Sequence, residues 1–211
     1  SKKPRPTADA TEAIPATPSS KRRRLDLAGL PPGGGVAVAL RGLKKHFGFD
    51  AFKSAPQQDA VVAVLEHRDV VAILPTGGGK SLIFQLPAVM LGGVTVVVAP
   101  LLALIKDQVG GLRERGFVAE TINSGLAVAE RRRVEVDLFS VAPKTQLLFV
   151  TPEQVATLAF QSMIGRLHER SLLGLFAVDE AHCVSEYGHD FRPKFRDLGV
   201  LRRMFPGVPI V

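Results

Sequence analysis

The chain has 211 residues, 46% of them hydrophobic, enough for one full-sized core but short for two ordinary domains. Its 27 lysines and arginines against 20 aspartates and glutamates give a net charge of +7, which makes a polyanion a fitting partner. A single cysteine, Cys183, excludes an internal disulfide and a multi-cysteine zinc site and fits a reducing compartment, and no apolar run reaches the ~18 residues of a membrane-spanning helix, so no membrane partner is expected.

The charge is uneven. Residues 1–35 hold seven basic groups against three acidic ones, and so carry +4 of the +7. This stretch is rich in Pro, Ala, Thr and Ser, lacks apolar periodicity and ends in Pro31-Pro32-Gly33-Gly34-Gly35. Such a composition buries too little apolar surface to offset its ordering entropy, so a disordered basic tail is expected. Lys21-Arg22-Arg23-Arg24 within it reads first as a solvated charge run, with a nuclear import signal or a nucleic-acid contact as the functional readings. The start at Ser1 and the stop within the apolar Val208-Pro209-Ile210-Val211 suggest a piece of a longer chain.

From Val36 to Val211 short apolar runs alternate with longer amphipathic ones. That alternation predicts a single α/β domain over 36–211 with a mostly parallel sheet. Strands are expected at 70–74, 94–99, 117–120, 146–151, 175–179 and from 208 onward. Helices are expected at 36–47 and 56–67 before the first strand, then at 80–90, 101–115, 128–139, 160–170 and 196–204.

After the first expected strand comes Pro75-Thr76-Gly77-Gly78-Gly79-Lys80-Ser81, followed by an apolar helix. Consecutive glycines let backbone N–H groups turn inward around phosphate oxygens, and a helix N-terminus adds the positive end of its dipole. Lys80 would then reach the β and γ phosphates of a nucleotide, and the Ser81 hydroxyl would ligate Mg²⁺. Leu74 stands where the strict GxxxxGK[ST] pattern has its first glycine.

The apolar run Leu175-Phe176-Ala177-Val178 delivers Asp179 and Glu180 to the carboxyl end of a buried strand, where open α/β sheets bind ligands. Asp179 would hold Mg²⁺ through its water shell, and Glu180 would polarise the water that attacks the γ phosphate. His182 follows at the place where such acidic boxes connect to other moving parts. Cys183 reads as a small packing residue.

With these motifs in place, the chain resembles the RecQ family of DNA helicases from about Leu43 to Val211. "FGFDAFKSAPQQDA", Phe47 to Ala60, is similar to the family's adenine-reading motif, with Gln57 at the glutamine position and Phe49 and Lys53 where the family packs residues around the base. "VVAPLLALIKDQV", Val97 to Val109, resembles the motif after the second strand, and "TPE", Thr151 to Glu153, one that touches the single-strand backbone. "SEYGHDFRPKF", Ser185 to Phe195, resembles an aromatic-rich loop that in the family contacts single-stranded DNA and relays the contact to the nucleotide site. Leu74 fits too, since helicases of the second superfamily commonly lack that first glycine.

The resemblance implies a P-loop NTPase of RecA-like three-layer fold, using ATP and Mg²⁺, with Thr151, Tyr187, Phe191 and Arg192 toward DNA. Aromatic faces stack on bases at ~1 to 3 kcal/mol each without regard to sequence, and an arginine pairs with phosphate. The alternative for Tyr187, Phe191 and Phe195 is that they anchor a long loop to the core. Tyr187 and Glu186 replace the family's usual tryptophan and glutamine, and the longer spacing from Lys53 to Gln57, with "GHDFRPKFRDLGVLR", points to the eukaryotic RecQ five-type branch.

The family places ATP between two such lobes, with arginines of the second stabilising the transferred phosphoryl group. The expectation is therefore the first lobe of a nuclear, 3′ to 5′ translocating DNA helicase of repair or recombination, acting on single-stranded and branched DNA. Without its second lobe it is expected to turn ATP over very slowly, since an arginine finger is worth ~10³ to 10⁵ in rate. Two other readings stand beside it. One is an RNA helicase of the related acidic-box families, against which the 185–195 loop argues. The other is a non-catalytic module binding nucleic acid or a partner through its basic tail.

Overall fold

A computed structural model describes residues 34–184 and 193–211 of the chain. The expected disordered tail, apart from Gly34 and Gly35, lies outside them, as do Tyr187, Phe191 and Arg192.

The apolar runs at the centre of the sequence form β1 (Val94–Val98), β3 (Leu147–Val150) and β4 (Leu173–Val178), with β2 (Ala119–Ile122) at one side. All pair in parallel in the order β2-β3-β1-β4. Every residue of β1 and β3 is buried, because a parallel sheet is covered on both faces and its strands need no polar side. Successive side chains point to opposite faces, so the strands feed two cores. Val97, Leu147, Phe149, Leu175 and Ala177 join one core, and Val96, Val98, Leu148, Val150 and Phe176 the other.

The first core is closed by α1 (Gly34–Phe47), α2 (Ala55–Leu65), α3 (Leu82–Leu91) and α4 (Leu102–Glu114), through residues such as Leu43, Val64, Leu86 and Ile105. On the other face lie α5 (Val128–Phe139), α7 (Leu158–Glu169) and α9 (Gly199–Met204), contributing Leu138, Phe160, Ile164 and Leu201. Two short helices, α6 (Pro152–Val155) and α8 (Pro193–Arg196), complete the chain order. The architecture is helix, sheet, helix: the three-layer RecA-like arrangement expected. Each fully buried aliphatic or Phe side chain contributes about 1.5–3 kcal/mol, and Phe149, Phe160 and Phe176 are among the largest that are fully enclosed.

Local chemistry sets the helix starts. Ser54 caps α2 by accepting from the Gln57 backbone N–H, with Pro56 just inside. Thr151 does the same for α6, accepting from Gln154, and Thr157 for α7, accepting from Phe160.

Several expectations are corrected. Residues 70–74 form no strand: Val70 N–H donates to Ile210 (3.0 Å), and no ladder continues beyond it among the described residues. A strand exists only through its neighbour, and here Val71 and Ile73 stand 90% exposed while Val70, Ala72 and Leu74 pack on the first core. The last apolar run is a single parallel bridge between Phe176 and Ile210, with Val178 N–H donating to Val211 (2.7 Å). Strand β2 starts two residues later than expected, since Phe117 packs instead against the Phe47 ring at 5.2 Å. The helix expected from Lys80 begins at Leu82, because Gly79 holds a positive φ of 79° and leaves Lys80 and Ser81 in a turn. The helix expected at 196–204 divides into α8 and α9, with Leu198 N–H donating to Phe195 in the turn between them. Phe195 itself is buried in the second core, so this ring of the aromatic stretch anchors the chain to the domain.

Candidate nucleotide site

The glycine-rich loop is organised by a residue from a distant helix. Gln57 at the start of α2 is 1% exposed, and its side-chain amide is used at both ends. Its Oε1 accepts from the Lys53 backbone N–H at 2.8 Å, and its Nε2 donates to the Gly79 carbonyl at 2.9 Å. Lys53 adds a second tie, its ammonium donating to the Gly77 carbonyl at 3.0 Å. Phe49, Lys53 and Gln57, expected around the base, are thus gathered beside the loop. Together with Gly79 they line a cavity of about 360 Å³, half-exposed Phe49 on one side and α4 on the other.

The glycines are needed for different reasons. Gly79 has a positive φ, and a Cβ there would stand 2.3 Å from Gln57 Nε2. At Gly78 a Cβ would meet the Pro75 carbonyl at 2.9 Å, whereas Gly77 has open space and is required only by its φ of 77°. Exposed Thr76 leads into the turn. The Lys80 ammonium donates to the Leu74 and Pro75 carbonyls at 3.2 and 3.4 Å, so it sits over the loop entrance rather than out in solvent. Ser81 follows at the cap position of α3, and its side chain makes no capping hydrogen bond.

Asp179 emerges directly from β4, its N–H donating to Val98 on β1 at 2.9 Å. One carboxylate oxygen accepts from the Glu180 N–H at 3.0 Å, and the other from Gln108 Nε2 on α4 at 2.8 Å. Glu180 holds a left-handed backbone with φ of 54°, and its carboxylate lies beside His182. His182 Nδ1 stands 3.1 Å from Glu180 Oε2, an ion pair whenever the imidazole is protonated. His182 and Cys183 lie in one 3-10 turn, Ala181–Val184, with Cys183 buried in the second core as a packing residue.

Ser81 and Asp179 offer hydroxyl and carboxylate oxygens, hard donors that suit Mg²⁺, an ion that keeps several waters and needs few protein ligands. No group of three His, Cys, Asp or Glu side chains gathers among the described residues. Thr151 is spent in part on capping α6, its Oγ accepting from Gln154 at 3.4 Å.

Gln108 was not singled out by sequence reasoning, yet a signal was there. Ile105, Val109 and Leu112 form the inward stripe of α4, and a polar residue three places after Ile105 falls inside that stripe.

Residues 54–208 match the DEAD/DEAH box helicase family, a region that includes both the glycine-rich loop and the acidic box. The chain belongs to that family. Within it the resemblance to RecQ holds. The chain is 48% identical over 170 residues to the ATP-dependent DNA helicase Q5 of Rattus norvegicus, covering 80% of this chain and 18% of that one. It is 39% identical over 174 residues to the ATP-dependent DNA helicase RecQ of Haemophilus influenzae, covering 82% and 27%. Among solved structures, the Mycobacterium smegmatis helicase Lhr bound to ssDNA and AMP-PNP superposes with a TM-score of 0.62 at 23% identity, over 86% of this chain and 25% of the other, which supports the fold. This DEAD/DEAH box helicase chain thus spans less than a third of each of these curated relatives.

Proposed function

We propose that the chain is the ATP-binding lobe of an ATP-dependent DNA helicase of RecQ type. The observation that carries this reading is the tie of Gln57 to both Lys53 and the Gly79 carbonyl, which couples a base-side segment to a glycine-rich loop ending in Lys80-Ser81. Residues 77–81 cradle the phosphates, and Lys80 exchanges its two carbonyl partners for phosphate oxygens, which bind an ammonium more strongly. Ser81 and Asp179 hold Mg²⁺, which supplies charge neutralisation at the transferred phosphate when bound. Glu180 accepts a proton from the attacking water, and His182 fixes the Glu180 carboxylate. Phe49 and Lys53 flank the base in the cavity between the loop and α4.

The proposal extends to partners beyond this lobe. A second RecA-like lobe supplies the arginine for phosphoryl transfer. Thr151, Tyr187, Phe191 and Arg192 face single-stranded or branched DNA, and translocation runs 3′ to 5′. The protein works in the nucleus, in repair or recombination, with Lys21 to Arg24 as import signal. Residues 36–211 constitute the lobe, and residues 1–35 a basic tail.

The test is ATP binding and turnover by the chain, with and without single-stranded DNA or RNA, and with Lys80→Ala. The expected result is ATP binding that needs Lys80, with very slow turnover. ATP binding that survives Lys80→Ala would refute the site, and stimulation of the full-length protein by RNA but not DNA would refute the substrate.

A further inference from the structure

Asp179 is aimed by a residue outside both motifs. Its Oδ1 is fixed by the neighbouring Glu180 N–H, a local contact that holds one oxygen but leaves the carboxylate plane free to swing. The second oxygen is held at 2.8 Å by Gln108 Nε2, from a helix 71 residues earlier in sequence. The amide orientation is dictated by chemistry, because the reverse would set Oε1 against a carboxylate oxygen, two acceptors facing each other. That orientation has a cost: Gln108 Oε1 is buried and makes no hydrogen bond to any described residue. A buried acceptor left without a donor destabilises the fold, and an apolar side chain of the same shape would avoid it. Gln108 therefore leaves one buried acceptor unpaired while making one directed contact, to the carboxylate that follows β4.

We propose that Gln108 is a positioning residue for Mg²⁺-dependent nucleotide binding. It holds Asp179 in the rotamer that receives the metal's water shell and ties that rotamer to the placement of α4, whose Gln108, Gly111 and Leu112 form the far wall of the cavity beside Gln57 and Gly79. Movement of α4 along or away from the sheet thereby alters the metal site without any change in the phosphate loop. The inference rests on the reading of Asp179 as a Mg²⁺ ligand.

The test uses the 211-residue chain and its affinity for ATP, measured with Mg²⁺ and again with the metal removed by EDTA. Gln108→Leu and Gln108→Met remove the donor at nearly constant volume, and Lys80→Ala serves as the reference for the phosphate loop. Partners that orient metal ligands are worth about 10- to 100-fold in metal affinity. Each Gln108 variant is therefore expected to lose about tenfold or more in ATP affinity with Mg²⁺, to match the unaltered chain in EDTA, and to melt no lower than it. Unchanged affinity in Mg²⁺ overturns the inference while leaving the nucleotide site intact. An equal loss in Mg²⁺ and EDTA, or a lowered melting temperature in both variants, assigns Gln108 a purely structural part and overturns it as well. If Mg²⁺ makes no difference to the unaltered chain although Lys80→Ala abolishes binding, the role given to Asp179 fails, and the inference fails with it.

Discussion

Replacing Gln57 with leucine removes one side chain that makes two hydrogen bonds, to the Lys53 N–H at 2.8 Å and the Gly79 carbonyl at 2.9 Å. Leucine fills nearly the same space, so the cavity contribution is small and the loss is chiefly polar. Each neutral hydrogen bond contributes about 1 kcal/mol net. Lys53 is exposed and Gly79 half-exposed, so water can reach both orphaned groups and the larger penalty for sealed polar atoms does not apply. The sum is about 2 kcal/mol, which in a domain of this size lowers the melting temperature by about 4–8 °C. Gln57→Glu separates the two contacts. It keeps an acceptor for Lys53 but sets a second oxygen against the Gly79 carbonyl, so the loop should be pushed from its position and ATP affinity should fall further than in Gln57→Leu. Thermal melting followed by circular dichroism, with ATP titration of each variant, reads both effects. A Gln57→Leu chain that melts with the unaltered protein and binds ATP equally would show that the glycine-rich loop holds its shape unaided, and the coupling argued from Gln57 would be wrong.

Two further outcomes concern the scaffold. Glu120 on β2 is 7% exposed and accepts from Arg113 on α4 at 2.6 Å and from both terminal nitrogens of Arg133 on α5. Its side-chain hydrogen bond and charge raise the Arg133 pKa. Both arginines are at least half exposed and can rehydrate, which screens their charge, so Glu120→Gln should cost only about 1–2 kcal/mol in urea unfolding although the carboxylate itself is buried. The Asp137 carboxylate is raised by partial burial, but hydrogen bonds from the Lys144 and Thr145 N–H groups and the Thr145 hydroxyl outweigh this and hold it below its ordinary value. A depressed carboxylate stabilises the fold above its unfolded-state pKa, and that contribution disappears as pH falls through the folded value. The stability difference between the unaltered chain and Asp137→Asn should therefore be full at pH 7 and shrink below about pH 4, as urea titrations across pH will measure.

Much of this site could be read from residue order because its parts are local. The glycine-rich loop and Lys80-Ser81 are consecutive in sequence, and Asp179-Glu180 directly follow an apolar strand that carries them to the sheet's end. Strands β1, β3 and β4 were legible for a related reason, since burial on both faces leaves them apolar almost throughout, Thr95 in β1 being the polar exception. What escaped depends on partners far along the chain. Residues 70–74 carry the composition of a strand but lack the neighbour that would make them one. Helix α6 announces itself by Thr151 before Pro152, a cap and a first-turn proline, yet four residues are too few to display a period. The Gln108 contact joins positions 71 apart, and only its place within an apolar stripe hinted at it.

Glu180 offers the sharpest separation of backbone from side chain. Its φ of 54° lies in the left-handed region, where a Cβ crowds the following carbonyl and costs roughly 1–2 kcal/mol. Nothing in the sequence announces this, because glutamate has no preference for that conformation. Glu180→Ala and Glu180→Gly both delete the carboxylate and its contact with His182, so the loss of polar interactions is common to the two. They differ in the backbone: alanine keeps the crowded Cβ, while glycine removes it at the expense of a more flexible unfolded chain, worth about 0.4–1 kcal/mol. Glu180→Gly should accordingly be more stable than Glu180→Ala by up to about 1 kcal/mol, the reverse of the order found in a helix interior, and both should bind ATP yet fail to hydrolyse it in the full-length protein. Urea unfolding of the two variants side by side decides the matter. If alanine proves as stable as glycine, the left-handed turn is not where the acidic box stores its strain, and the direction of the Glu180 carboxylate must be set by its hydrogen-bond partners alone.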